Sequence, residues 1–453
     1  MRRTRTALAV AVGLVLADSS VVVLALPEIY RELDVSVSAV TWVLVAFNLV
    51  LAAAAVPAAA AARRHGPARV SCAGLAAFAF ASLACGLANG IELLIVARSV
   101  QAVGGAAAVC AALELLPAAT GSERVAARTW ATAGTIGAAL GPGVGGLLTE
   151  LISWQSIFLL QVPIAVALIP SLVPAALRER SESVVRAEVR SAGRPHLAAN
   201  AALALVSAAL AAALFLVVLL LIEGWRMTPI AAAVAVSVMP IAAVLTGRLG
   251  IGDTEGSARA AAGVILLAGG LAGLAFLPSA TVAATLAPQV LMGIGLALTL
   301  SALTEAALEG RAPQAIHGGW TIAARHAGVV AGLLLLTPIF TADLDSERVE
   351  AEQAGTAALL DSRMDPSSKI ELAERLGARL AEEGDKVPVL DPAFEPLPSD
   401  PVERERVVEL RTELQSELDR AATHAFSNSF LLAAAFALAA LLPISLARER
   451  AAL

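Results

Sequence analysis

Charge is scarce in this chain of 453 residues: only 15% are Asp, Glu, Lys or Arg, whereas 58% are hydrophobic. A mean hydropathy of +0.78 excludes a soluble globular domain and points to a polytopic membrane protein. Aromatic residues make up only 4%, so the apolar surface is built from Ala, Leu and Val. Lysine is confined to Lys369 and Lys386, a composition that fits a high-GC bacterial genome. The three cysteines, Cys72, Cys85 and Cys110, all lie in apolar stretches and read as packing residues, not as disulfides or metal ligands. There is no Gly-Lys-Ser/Thr phosphate loop and no His/Cys/Asp cluster at metal spacing. No enzyme chemistry, cofactor or nucleic-acid partner is therefore expected, and the energy for any transport falls to an ion gradient.

What is present is a series of long apolar runs. About 20 apolar residues cross ~30 Å of hydrocarbon, and cutting the chain at its Arg, Gly, Pro and acidic clusters gives twelve segments. They fall near residues 7–27, 39–62, 69–88, 91–118, 128–149, 156–177, 197–222, 229–248, 258–277, 281–307, 319–341 and 425–446. The N-terminus MRRTRTALAV imitates a signal peptide, but many spans follow and we read it as an uncleaved first helix. With the N-terminus inside, 18 arginines fall in cytoplasmic segments and two, Arg31 and Arg226, in the short outer loops. This positive-inside bias predicts a multi-pass inner (plasma) membrane protein, all α-helical, with both termini cytoplasmic.

The charged loop RERSESVVRAEVRSAGRPH divides the spans six and six. The expected organisation is a first half over 1–177, a cytoplasmic linker over 178–196, and a second half over 197–341 and 425–453. Arg98, Gly104 and Glu114 in span four recur as Gln289, Gly295 and Glu305 in span ten at the same separations. Parallel repeats of this kind belong to transporters whose substrate passes between two rocking halves. Residues 342–424 differ in kind, with 21 acidic and 10 basic residues. Topology places them outside. Asp365-Pro366 and Gly384 bracket one helix; Asp400-Pro401 starts a second, whose stripe Val407, Leu410, Leu414, Leu418 and Ala421 suits packing in a helical hairpin. A partner outside the membrane for this acidic insert is one expectation.

Two charges remain at membrane depth in the first half. Asp18 sits in AVGLVLADSSVVVLALP with no basic residue within ten positions, and Arg98 sits in LLIVARSVQAVGGAAA. Counting from opposite faces at ~1.5 Å per residue, Asp18 is ~16 Å deep and Arg98 ~10 Å deep, so the two can meet in a ~30 Å core. A facing pair keeps both groups charged, and protonating the acid releases the arginine. A static pair that only fixes helix packing is the alternative. Span five carries GTIGAALGPGVGGLL, in which the glycines permit close helix approach and Pro142 bends the helix.

The stretch from Gly137 through Gly141 and Pro142 to Gly145 and Gly146 resembles the antiporter signature of the drug exporters of the major facilitator superfamily. ADSSVVVLALP, ARSVQAVGGAA and WQSIFLLQVPIA resemble their first-, fourth- and sixth-span motifs, over roughly residues 10–170. The resemblance implies twelve helices in two halves with alternating access. It assigns Asp18 and Arg98 to coupling with a proton gradient and residues 137–146 to the hinge. The family's loop between spans two and three is usually G-x-x-x-D-R-x-G-R-R. Here Ala59, Arg63, Arg64, Gly66, Pro67 and Ala68 stand there, so the acidic gate residue is Arg63.

His326, beside Arg325 in span eleven, can change charge near neutral pH and is a further proton-path candidate; a satisfied packing histidine is the alternative. Asn48, Trp42, Phe47, Gln101, Arg325 and Glu305 are cavity candidates by position, and Glu114 and Glu305 read equally as caps near span ends. The expected activity is proton-coupled export of hydrophobic or amphipathic small molecules by a monomer embedded in the bilayer. Two alternatives stay open: an exporter or flippase of lipids or lipid-linked molecules that uses the outer insert, and a transport-dead receptor or scaffold.

Overall fold

The computed structural model describes residues 2–181, 193–249, 256–278, 280–309, 311, 313–362, 364–383 and 390–452. Most of the expected linker and Gly384 lie outside these residues. The first half holds α1 (Arg2–Val23), a short α2 (Leu26–Glu32), α3 (Val37–His65), α4 (Pro67–Gly86), α5 (Ile91–Thr120), α6 (Glu123–Leu151), α7 (Gln155–Leu168) and α8 (Val173–Ser181). The second holds α9 (Leu197–Leu219), α10 (Pro229–Val236), α11 (Val238–Arg248), α12 (Gly256–Ala275), α13 (Val282–Leu308) and α14 (Gln314–Asp361). Then come α15 (Pro366–Glu383), α16 (Pro401–His424), α17 (Ser427–Ala439) and α18 (Leu441–Ala452). Among the described residues, eleven helices are long and apolar enough to cross a membrane, or twelve if the bent pair α7 and α8 counts as one span.

Local sequence sets the ends. Ser36 caps α3 by accepting from Ala39 N at 3.1 Å, Thr228 caps α10 ahead of Pro229, and Asp400 caps α16 ahead of Pro401, accepting from Glu403 N at 2.9 Å. Proline breaks two spans. The expected straight helix over 156–177 is instead bent by 50°, because Pro170 and Pro174 each lack an N–H and the chain passes through a 3₁₀ turn, Ile169–Ser171. The eighth span divides between α10 and α11 at Ser237, where Pro240 has no N–H to give to the carbonyl of Val236.

The outer insert departs further from expectation. The apolar part of span eleven ends at Leu344, close to the expected 341, but the helix that carries it does not: α14, 48 residues in all, runs on to Asp361, since nothing between Thr341 and Gly355 breaks a helix. The insert is thus three helical pieces, the C-terminal end of α14 with α15 and α16, rather than a hairpin of two. They share a small core of Leu359, Met364, Leu372, Phe394, Leu410 and Leu414. Helix α16 reaches α17 through a turn at Ala425 and Phe426.

Inside the bundle, buried side chains form two large clusters. One, on the side of the insert, holds Val21–Tyr30 and most of α9; the other, toward the termini, holds Leu8–Val15, Phe47, Phe78 and the start of α14. Residues 16–20 of α1 fall between the two. Exposed Phe80, Leu151, Val234 and Leu249 belong to the lipid-facing surface.

Candidate functional site

At that seam the charges meet. Asp18 and Arg98 are both fully buried, and Arg98 Nη1 donates to Asp18 Oδ2. The same nitrogen donates to Gln101 Oε1 at 2.6 Å, and Nε reaches Val43 O at 3.4 Å. The other carboxylate oxygen, Asp18 Oδ1, accepts from Gln161 Nε2 at 2.8 Å and from Gln101 Nε2 at 3.4 Å. Gln101 Nε2 also lies 2.8 Å from Ser82 Oγ and from Gln161 Oε1. The guanidinium lies 4.0 Å from the centroid of the Phe47 ring and 5.5 Å from that of Phe158. Five helices, α1, α3, α4, α5 and α7, therefore supply one network.

Its chemistry follows from the donors. The Asp18 carboxylate accepts from an arginine and two amides, so the ion pair that holds Arg98 depends on the charge of this one acid. Arg98 Nη2 has no partner among the described residues, so the arginine has a donor to offer a second acceptor. Gln161 and Ser82 were not singled out by the sequence reading. A glutamine in the apolar run FLLQVPIA is the signal that marks the first; a serine in an alanine-rich helix carries none.

The glycines of α6 face α1. A Cβ at Gly137 would overlap the carbonyl of Gly13, one at Gly141 would strike Ser20, and one at Gly145 would meet Val21 O. Ser20 Oγ crosses to Ala138 O at 3.1 Å, four residues before Pro142, where the proline leaves that carbonyl without an intrahelical donor. Gly146 faces the other half instead, with Pro229 O 2.5 Å from where its Cβ would stand.

The remaining candidates divide. Phe47 and Gln101 belong to the network. Asn48 donates from Nδ2 to Leu44 O at 2.8 Å, so its Oδ1 accepts from His326 Nδ1, 2.6 Å away across the two halves. Arg325, the next residue, is half-buried with no hydrogen-bond or ionic partner among the described residues. Trp42 is 44% exposed and takes no part in the hydrogen bonds of this network. Glu305, with a side chain 67% exposed, is paired to Arg259 at 2.7 Å at the end of α13, away from Asp18.

In the loop between α3 and α4, Arg63 lies 3.9 Å from Glu114, and Arg64 is likewise engaged. Gly66 takes φ +100°, a conformation that glycine reaches without strain. The family's acid is absent from this loop, but Glu179 of α8 reaches in and accepts from Ala68 N and Arg69 N at 3.0 and 3.2 Å, on the N-terminus of α4.

On the opposite face, Arg31 of α2 bonds Glu223 at 2.6 Å, joining the halves. Burial pushes the Tyr30 hydroxyl up, and nearby Glu223 adds to it. Burial pulls Arg31 down, but Glu223 and Tyr30 together outweigh it and raise the net value. The π-helical turn Leu220–Gly224 that carries Glu223 is followed by Trp225, whose Nε1 donates to Thr423 at 3.0 Å, and by Arg226, which donates to Gln415 at 3.3 Å, both on α16.

Apolar spans arranged in two helical halves, with a charge network buried in one, define a membrane transporter rather than an enzyme. The Major Facilitator Superfamily pattern matches residues 8–334, and the chain belongs to that family. It is 38% identical over 162 residues to the methylenomycin A resistance protein of Bacillus subtilis, covering 35% of each chain. It is 35% identical over 170 residues to the multidrug resistance protein Stp of Mycobacterium tuberculosis, covering 36% of this chain and 32% of that one. To the tetracenomycin C resistance and export protein of Streptomyces glaucescens it is 34% identical over 168 residues, or 36% and 31%. The matched stretch spans about a third of the length of these relatives. In fold, the chain superposes with a TM-score of 0.59 and 15% identity on an inward-facing, unoccupied bacterial homolog of the human lysosomal transporter Spinster, covering 98% and 97% of the two chains.

Proposed function

We propose that this protein exports hydrophobic or amphipathic small molecules in exchange for protons. The observation that carries the reading is the Asp18 carboxylate, fully buried and held by Arg98, Gln101 and Gln161. Such a pair adds little net stability compared with an apolar core, so its retention fits a role in the cycle. Protonation of Asp18 discharges the pair, frees Arg98 and lowers the barrier to separating α1 from α5. Deprotonation toward the other face restores the pair and resets the halves. The close glycine contacts between α6 and α1 let these helices slide without side-chain obstruction while this happens. The resistance and export activities named for the relatives above support outward transport.

The test is proton flux in proteoliposomes loaded with an amphipathic dye. The unaltered protein moves protons when dye is added. Asp18→Asn removes the charge and replaces one acceptor oxygen with an NH₂, so it should lower the unfolding midpoint and, per molecule of folded, reconstituted protein, abolish dye-driven flux. Undiminished flux in that variant overturns the assignment.

A further inference from the structure

Among the described residues, several charged side chains of the bundle come in pairs, and Arg325 does not. Asp18 holds Arg98, Glu114 faces Arg63, and Glu223 faces Arg31. Arg325 has no carboxylate within 4.0 Å among the described residues and makes no hydrogen bond to them. A guanidinium at membrane depth is expensive, and one left without a partner marks a place where something else binds.

Helical register gives its direction. Trp320, Ala327, Ala331 and Leu334 are the exposed face of α14, turned to lipid. Gly318 and Gly332 lie seven residues to either side of Arg325, two turns away on its own stripe. A Cβ at Gly318 would run into Leu113 of α5, in the first half; one at Gly332 would overlap Ala208 of α9, in the second. Arg325 thus points into the seam between the halves, and His326 bridges that seam to Asn48. Val43, whose carbonyl Arg98 contacts, is five residues from Asn48, so Arg325 lies ~7 Å closer to the termini than the Asp18 network.

A second group points to the same place. Ala204 of α9 packs on Gly328 and Ala208 on Gly332, so α9 and α14 run parallel in step. One turn before Ala204 on the same ridge is Asn200, level with Ala324 and Arg325 and facing α14. Its side chain is buried, with 8% exposed, and Oδ1 has no hydrogen-bond partner among the described residues. A buried amide with unused hydrogen-bonding capacity and an unpaired cation therefore share one level of one seam, from two helices.

We propose that Arg325 and Asn200 form an anion subsite, and that the cargo is an amphipathic organic anion, a carboxylate carried on an apolar body. This rests on the export reading and narrows its substrate class. The planar guanidinium matches a carboxylate with two parallel N–H···O bonds, and the Asn200 amide, rotated to present its NH₂, donates to the same anion. One guanidinium balances one negative charge, which selects a monoanion. The aliphatic and small side chains around the stripe receive the apolar body. A cationic cargo meets repulsion at this level.

The experiment uses the full chain in lipid nanodiscs and three probes with one ring system: 1-naphthaleneacetate, 1-naphthaleneacetamide and 1-naphthylmethylammonium. In the unaltered protein the carboxylate should bind about tenfold more tightly than the amide, with the ammonium weakest. Arg325→Gln should erase the difference between carboxylate and amide at an unchanged unfolding midpoint, Arg325→Lys should keep part of it, and Asn200→Ala should reduce it. Equal affinities for carboxylate and amide in the unaltered protein, or a preference that survives Arg325→Gln, overturns the proposal. The first comparison needs no variant, so misfolding of Arg325→Gln leaves the answer standing. The two readings also separate. Proton flux driven equally by the neutral amide removes the anion subsite and leaves export intact, whereas a carboxylate preference without any probe-driven proton flux removes proton-coupled export and leaves the subsite.

Discussion

In the first half, Gly104 of α5 lies against Gly74 of α4; in the second, Gly295 of α13 lies against Gly263 of α12. A Cβ at these two positions would stand 2.7 Å from Gly74 O and 2.5 Å from Gly263 O, so the same backbone contact is built twice. Ten residues beyond each glycine a glutamate meets an arginine, Glu114 with Arg63 and Glu305 with Arg259. Six residues before each the symmetry fails. Arg98 stands in the first half within its network, and Gln289 stands in the second, bonded among the described residues to Thr285 alone, one turn back at 3.0 Å. Small residues that set helix spacing recur in both halves. Arg98 stands beside Asp18 and Gln101, with Gln161 holding the acid, whereas no acid among the described residues pairs with position 289.

Exchanging the two residues breaks this contrast most severely. Arg98→Gln leaves Asp18 charged and buried with amides alone, and Gln289→Arg buries a guanidinium with no acid beside it. Each should cost ~3–5 kcal/mol of stability, seen as a fall in the thermal unfolding midpoint in detergent and in the yield of folded protein. The double variant Asp18→Asn, Arg98→Gln removes both charges and should recover much of that loss while remaining inactive in proton flux. A well-folded Gln289→Arg would mean that the second half holds an acceptor for arginine after all, and the halves would differ less than their hydrogen bonds indicate.

The duplicated contact should respond alike in both halves. Gly104→Ala and Gly295→Ala each force α5 from α4, or α13 from α12, and overpacking of this kind costs ~1–3 kcal/mol. Matching losses in unfolding midpoint sharpen the view that one scaffold was used twice. A loss confined to Gly104→Ala would make the glycine part of the proton site instead of the scaffold.

Much of this was legible in the sequence because bilayers impose simple rules. Apolar runs, arginine placement and the spacing of Arg98, Gly104 and Glu114 against Gln289, Gly295 and Glu305 pointed to the spans and the repeat, and depth counting brought Asp18 within reach of Arg98. The rest depended on contacts between distant segments. Gln161 joins Asp18 from 143 positions away, and Glu179 reaches the N-terminus of α4 from 111 away. Trp42 and Glu305 stand apart from the Asp18 network, because depth along a span does not fix which side of the helix a residue takes. The length of α14 was hidden by its composition: LDSERVEAEQAGTAALLD is too polar for a membrane but wholly acceptable to a helix, so the span's end in hydrocarbon was taken for the helix's end.

The mildest change tests the contrast most directly. Gln289 is 2% exposed, and its Nε2 donates to Thr285 Oγ1, which in turn donates to Val282 O at 2.8 Å. Gln289→Leu removes one neutral hydrogen bond and leaves Thr285 with its other one, while Leu buries slightly more apolar surface in a similar volume. The net change in stability should stay within ~1 kcal/mol. If proton chemistry belongs to the first half alone, substrate-driven proton flux through Gln289→Leu should match the unaltered protein, in the same proteoliposomes where Asp18→Asn is silent. A variant that unfolds normally but has lost proton flux would place a second proton-sensitive position in the second half, at the point where the repeat has glutamine in place of arginine.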